Sequence, residues 1–220
     1  MKRLLSLALA STLLLAGCGA GPGEGPGGRQ DGSKQNPGGS PALASYALAQ
    51  PVYPKFPTLP QVPTEMSNQA WEIYNDDYDR YIDALTAIRG GGVQAGTAQR
   101  LTSFAGRSAP LVLEGQEGKN VIYSPLSLWS ALAMLAQCAG GESCQQVLQA
   151  IDVNNLEGLQ AEISQLWRGL YTDDGTSSLL LSNSIWLNST LEGAYIQNTL
   201  DTLAEKYFAG TYSVPMGSGP

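Results

Sequence analysis

The sequence predicts an α+β domain that is mostly helical and contains only a few short strands. An apolar segment at residues 121–123 leads directly into Ser124 and Pro125, a pair typical of a helix start, and then into an apolar helix. Residues 155–170 place Leu, Ile and Trp side chains three or four positions apart, which indicates an amphipathic helix. Residues 179–187 are apolar and bounded by turn residues, as in a buried strand.

The N-terminus predicts export and a lipid anchor. Lys2 and Arg3 precede an apolar core at residues 4–15, which is too short to span a bilayer permanently. The core ends in a Leu-Ala-Gly-Cys run whose cysteine is Cys18, and this run resembles a bacterial lipobox. We assign residues 1–17 to a lipoprotein signal peptide and expect the lipid on Cys18 to hold the chain at the outer face of the cell membrane. The alternative is an ordinary signal peptide with an incidental cysteine.

Residues 18–66 are predicted to be a tether. Residues 19–40 are Gly-rich and polar and have too few apolar side chains to form a core. Residues 51–63 then carry proline at every third position, which is the period of a polyproline II helix about 40 Å long. We interpret this stretch as a stiff spacer. A ligand for a proline-recognising groove is the second interpretation.

An amphipathic helix is predicted within residues 67–92. Ser67 is a suitable N-cap, and three consecutive glycines end the helix after Ile88. One face is a heptad-like stripe, made of Trp71, Tyr74, Tyr78, Tyr81, Leu85 and Ile88. We expect the stripe to dock on its own domain, and a partner or dimer helix is the alternative.

The main domain is predicted at residues 97–220. It begins with a helix over residues 97–112, followed by the strand at 121–123 and the helix from Leu126 to Ala136, which is apolar on nearly every face and therefore central. Ser143 and Gln146 have capping-box spacing and predict the start of the next helix. Further along, an Asp-Asp-Gly turn at 173–175 precedes the strand around Asn183, and a helix at 194–208 precedes a strand at 210–214.

The run of residues 119–143 resembles a segment of the serpin family, the serine protease inhibitors, in which an inner strand leads into a central helix. The strand at 179–187 and the helix and strand ending at Val214 resemble the family's following elements, in the same order. The resemblance implies the serpin fold, with only its N-terminal, mostly helical part present. It also implies that the reactive-centre loop lies beyond Pro220, so we expect this chain alone not to be inhibitory.

The family mechanism traps a serine protease as an acyl-enzyme while the cleaved loop inserts into the main sheet. The resemblance therefore implies extracellular serine proteases as partners of the full-length protein and no enzymatic activity. It places Ser124, Ser127 and Asn183 at the family's shutter, where polar side chains bridge strands that must separate. A surface lipoprotein that acts as a non-inhibitory binding module is the alternative function.

Composition excludes several other classes. The chain contains no histidine, so it offers neither a Ser-His-Asp triad nor a His-based metal site, and no cofactor is expected. A net charge of −7 argues against a nucleic-acid partner. Export permits a disulfide, and Cys138 and Cys144 flank a Gly-Gly turn. A bridge between them and two separate buried thiols are both open interpretations.

Overall fold

The computed structural model describes residues 41–65, 67–175 and 177–217. Its helices are α1 (Pro41–Ala44), α2 (Asn68–Arg89), α3 (Ala95–Leu113), α4 (Pro125–Cys138), α5 (Gly141–Ala150), α6 (Leu156–Leu170) and α7 (Gln197–Lys206). Its strands are β1 (Ala47–Ala49), β2 (Thr172–Asp173), β3 (Ser178–Leu179), β4 (Asn183–Asn188) and β5 (Ala209–Val214). The predicted α+β class is confirmed. The predicted signal peptide, Cys18 and the Gly-rich stretch lie outside the described residues.

The core is formed where α4 packs against its helical neighbours. Trp129 and Ala133 of α4 are fully buried together with Leu159 of α6, and α4 contacts α3, α5, α6 and α7. The Trp129 indole nitrogen donates a hydrogen bond to the Ile151 carbonyl (3.3 Å), which satisfies the polar atom of this buried ring. The apolar composition of α4 therefore reflects its central position, as the sequence predicted.

Helix starts follow the local capping signals. Ser67 accepts a hydrogen bond from the Ala70 amide (3.2 Å), and Asn155 accepts one from the Gly158 amide (2.8 Å). At the other end of α2, Gly90 has φ +58°, a left-handed conformation that glycine adopts without steric cost. The predicted bounds of α2 and α6 are confirmed to within one residue.

A three-stranded sheet lies beside the helices in the order β1-β5-β4. β4 and β5 are parallel, with Asn183 opposite Ala209, and α7 provides the crossover between them. β1 pairs antiparallel with β5, with Ala47 opposite Tyr212. The sequence did not predict β1, which belongs to the segment interpreted as a tether.

The proline-rich segment is not a free rod. Tyr53 and Phe56 pack onto α6 and its C-terminal cap, where Tyr53 stacks on Trp167 (ring centroids 5.4 Å apart) and Phe56 meets the edge of Tyr171 (5.2 Å). The Tyr171 hydroxyl donates a hydrogen bond to the Pro54 carbonyl (3.2 Å). With Phe208, which stacks on Trp167, these residues form what we call the aromatic clasp. At least residues 53–56 are therefore part of the domain rather than a spacer.

Two local predictions were wrong. Residues 121–123 are not a strand, because no strand of the described chain lies beside them to complete a hydrogen-bonded ladder, and the Ile122 side chain is fully exposed. The Ser143 capping box does not form, because α5 already begins at Gly141, after Gly140 in an extended conformation. Ser143 lies inside α5, and the Gln146 side chain donates to Glu142 instead (3.3 Å).

Among the described residues, the helices are too short or too polar for any of them to cross a bilayer.

Candidate functional site

The candidate site is built on the N-terminus of α4. Ser124 is extended (φ −110°, ψ 102°), and its Oγ accepts hydrogen bonds from the Ser127 amide (3.2 Å) and from the Ser127 hydroxyl (2.9 Å). Pro125 occupies the first helical position, where its missing N–H leaves nothing unpaired. The cap therefore holds the side chains of Ser124 and Ser127 in contact, at a helix start that Pro125 favours.

Asn183, the first residue of β4, lies across from this helix start. A pocket of about 200 Å³ separates them, lined by Ser127, Ser130, Ser182, Asn183 and three leucines. Asn183 is half-buried, and its side chain makes no hydrogen bond to another described residue. The structure thus brings Ser127 and Asn183 to one polar pocket, with Ser124 behind Ser127. Their role as a shutter stays a prediction.

The pocket adjoins an open sheet edge. In the described sheet, β4 pairs with β5 on one side and with no strand on the other. β1 covers the opposite edge of β5. β1 and β4 are thus the two edge strands of the described sheet, and β4 is the longer of them, with six residues against three.

Sequence reasoning missed the link between the N-terminal segment and this pocket. The Tyr53 hydroxyl lies near the side chain of Ser182, which lines the pocket. Burial raises the pKa of Tyr53, and the Ser182 side chain opposes this rise only in part. The run of aromatic residues in a proline-rich stretch was the available signal, since a spacer has no need of Tyr53 and Phe56.

The two cysteines of the domain are free thiols in the structure. Cys144 is buried, and its sulfur lies 3.4 Å from the Ala136 carbonyl, whereas Cys138 is exposed as a residue. Local desolvation of its sulfur nevertheless raises the pKa of Cys138, which lowers its thiolate fraction at neutral pH. The structure therefore contains no disulfide between Cys138 and Cys144, and of the two thiols only that of Cys144 is buried.

No group of three or more His, Cys, Asp or Glu side chains among the described residues could hold a metal ion. Tyr207, whose pKa is raised by burial, donates a hydrogen bond to Gln137 (3.1 Å) and is packed in the core. The polar groups of the candidate site are hydroxyls and an amide, which can donate and accept hydrogen bonds between backbone segments.

Comparison with known proteins agrees with the resemblance read from the sequence. The model of the serpin family, described as serine protease inhibitors, matches residues 99–216. Corticosteroid-binding globulin of Sus scrofa is 37% identical over 79 residues, covering 34% of this chain and 20% of that protein. Serpin-ZXA of Oryza sativa subsp. japonica is 33% identical over 123 residues, covering 51% of this chain and 30% of that protein.

A solved structure of human glycosylated kallistatin is also similar, with a TM-score of 0.46 and 24% identity. That likeness covers 52% of this chain and 31% of kallistatin. The chain thus spans less than a third of the length of the proteins it matches. The family match covers α3 through β5 and includes Ser124, Ser127 and Asn183, and on this ground the chain belongs to the serpin family.

Proposed function

We propose that the protein is a serpin-type inhibitor of extracellular serine proteases, held at the outer face of a bacterial cell membrane by a lipid on Cys18. The observation that carries the proposal is the serpin family match over residues 99–216, a range that contains the pocket of Ser127 and Asn183. Suicide inhibition adds a cleaved loop as a new strand, so the main sheet must open to accept it. The hydroxyl and amide groups at the start of β4 are the ones that would hold the sheet closed until then.

Asn183 tests the shutter directly. In the full-length protein, Asn183→Ala should cost roughly 1–3 kcal/mol if the amide bridges buried groups, because those groups would lose their partner. It should also promote polymers on mild heating. Asn198→Ala, at an exposed position of α7, is the matched control and should change neither property. If both variants behave as wild type, Asn183 does not close the sheet.

The inhibitory activity itself is tested by incubating full-length protein with trypsin-like, chymotrypsin-like, elastase-like and subtilisin-like enzymes. At least one of them should form an SDS-resistant covalent complex. Digestion by every enzyme would instead favour the second candidate, a non-inhibitory binding module at the cell surface. The similarity to corticosteroid-binding globulins, proteins named for what they bind, is the observation that keeps this candidate open.

The anchor is a separate part of the proposal and has its own test. Mass spectrometry of the mature protein should find an acylated Cys18 at the N-terminus, and Cys18→Ser should release the protein from membranes. Soluble protein with a different N-terminus would contradict the anchor and leave the inhibitor proposal standing.

A further inference from the structure

The N-terminal part of α2 presents an aromatic face that its own domain does not cover. Trp71, Tyr74, Tyr78 and Tyr81 form a ladder in which successive ring centroids lie 5.6, 6.0 and 6.0 Å apart. Among the described residues, these four rings stack only with other members of the ladder, and no residue of α2 is fully buried. Trp71 and Tyr78 keep 36% and 39% of their surface exposed.

The same stripe packs against its own domain at its C-terminal end. Ile88 packs against the aromatic clasp, and the Arg89 guanidinium donates a hydrogen bond to the Thr172 hydroxyl (3.2 Å). The predicted docking of the stripe on its own domain is therefore confirmed for its last turn alone. The ladder lies in the preceding turns of α2, N-terminal to the contact made by Ile88.

The carboxylates of α2 lie mostly on the side of the helix opposite the ladder, so an apolar partner can contact the ladder without burying them. If Trp71 and Tyr78 are heptad positions a, and Tyr74 and Tyr81 positions d, four of the five carboxylates fall at b and f, on the opposite side: Glu72, Asp76, Asp79 and Asp83. The fifth, Asp77, flanks the ladder and is paired with Arg80 (3.0 Å). An acidic outer face also disfavours nucleic acid or anionic lipid as the occupant.

We propose that the occupant is the aromatic ladder of a second copy, packed antiparallel about a two-fold axis near residue 76. A symmetric partner brings the same apolar face and points its b and f carboxylates at solvent, so neither copy buries a charge. This axis pairs position a with position d throughout: Trp71 with Tyr81 and Tyr74 with Tyr78. A parallel pair would instead drive the partner's helix into the domain that already covers Ile88.

The contact is small. An aromatic side chain offers about 150–250 Å² in total, so four rings that are each about one-third exposed or less supply at most about 300 Å² per copy. That is well below the roughly 800 Å² per partner of a stable complex, so the dimer is expected to be weak in solution.

Sedimentation velocity of the full chain should therefore show a monomer at about 10 µM and a growing dimer fraction towards about 1 mM, the range of a weak interface. Tyr78→Ala should weaken association at least tenfold, because the two-fold axis makes each substitution count twice. Ile73→Ala is the matched control, since it removes an apolar side chain of the same helix that lies off the ladder and is 56% exposed. It should leave the dimer unchanged. Circular dichroism should show α2 intact in both variants.

Orientation is tested by replacing Tyr81 with photoreactive benzoylphenylalanine and sequencing the cross-linked dimer. The antiparallel pair predicts a link at or next to residue 71 of the other copy. A link to residues 78–85 would overturn the arrangement. A chain that stays monomeric to about 1 mM, or a dimer unaffected by Tyr78→Ala, would overturn the second copy as the occupant.

Discussion

Replacing Tyr53 by Ala should detach the N-terminal segment from the domain. Truncating a fully buried aromatic residue costs about 3–5 kcal/mol, and Tyr53 is half-buried, so we expect a loss of about 2 kcal/mol. The loss comes mainly from the stacking of Tyr53 on Trp167. Tyr53→Phe keeps the ring and should therefore lose far less.

Lys55 lies between the docked residues Tyr53 and Phe56, so tryptic cleavage at Lys55 measures how often this segment is released from the domain. Tryptic cleavage there needs the segment to lift off, so 2 kcal/mol corresponds to a cleavage rate about thirty times faster. Cleavage at Arg107, in α3, measures opening of the rest of the domain and should rise much less. Leu59→Ala, at a 53% exposed position of the same stretch, is the matched control and should leave both rates unchanged. Equal cleavage of wild type and Tyr53→Ala at Lys55 would refute the clasp as the element that holds this segment.

Three further outcomes are expected. Ser124→Ala should lower the free energy of unfolding by about 1 kcal/mol in urea titrations, since it removes a helix cap, whereas Ser143→Ala, inside α5, should leave it nearly unchanged. Burial raises the pKa of Tyr207, so with rising pH the unfolded chain loses the hydroxyl proton before the folded chain does. The free energy of unfolding should therefore fall by up to about 1.4 kcal/mol per pH unit above pH 10, as measured by denaturant titrations at several pH values. A thiol reagent at pH 8 should modify Cys138 before Cys144, and equal rates would contradict the buried position of Cys144.

The features that sequence predicted well are those specified by neighbouring residues. Ser67, Ser124 and Asn155 each accept a hydrogen bond from the amide three residues ahead, so the helix starts could be assigned from short windows. The capping-box spacing of Ser143 failed because the same short window cannot tell whether a helix has already begun at Gly141.

The features it missed depend on distant partners. β1 exists because Ala47 meets Tyr212, and no pattern near residue 47 contains that information. The proline period predicted an extended chain, but docking of that chain depends on the rings of Trp167 and Tyr171. The strand at 121–123 failed for the converse reason, since β-propensity cannot supply a neighbouring strand. Likewise, the closeness of Ser127 and Asn183 followed from the family resemblance and not from spacing.

The pairing of β1 with β5 also sets an order of events during synthesis. A ribosome makes β1 early, yet its partner strand and the clasp residue Phe208 are among the last of the described chain to appear. Until then β1 has nothing to pair with, and closing so long a loop is slow because its entropy is lost before any contact forms. Docking of the N-terminal segment should thus be a late step, and protection of Lys55 would mark molecules whose β5 is already in place.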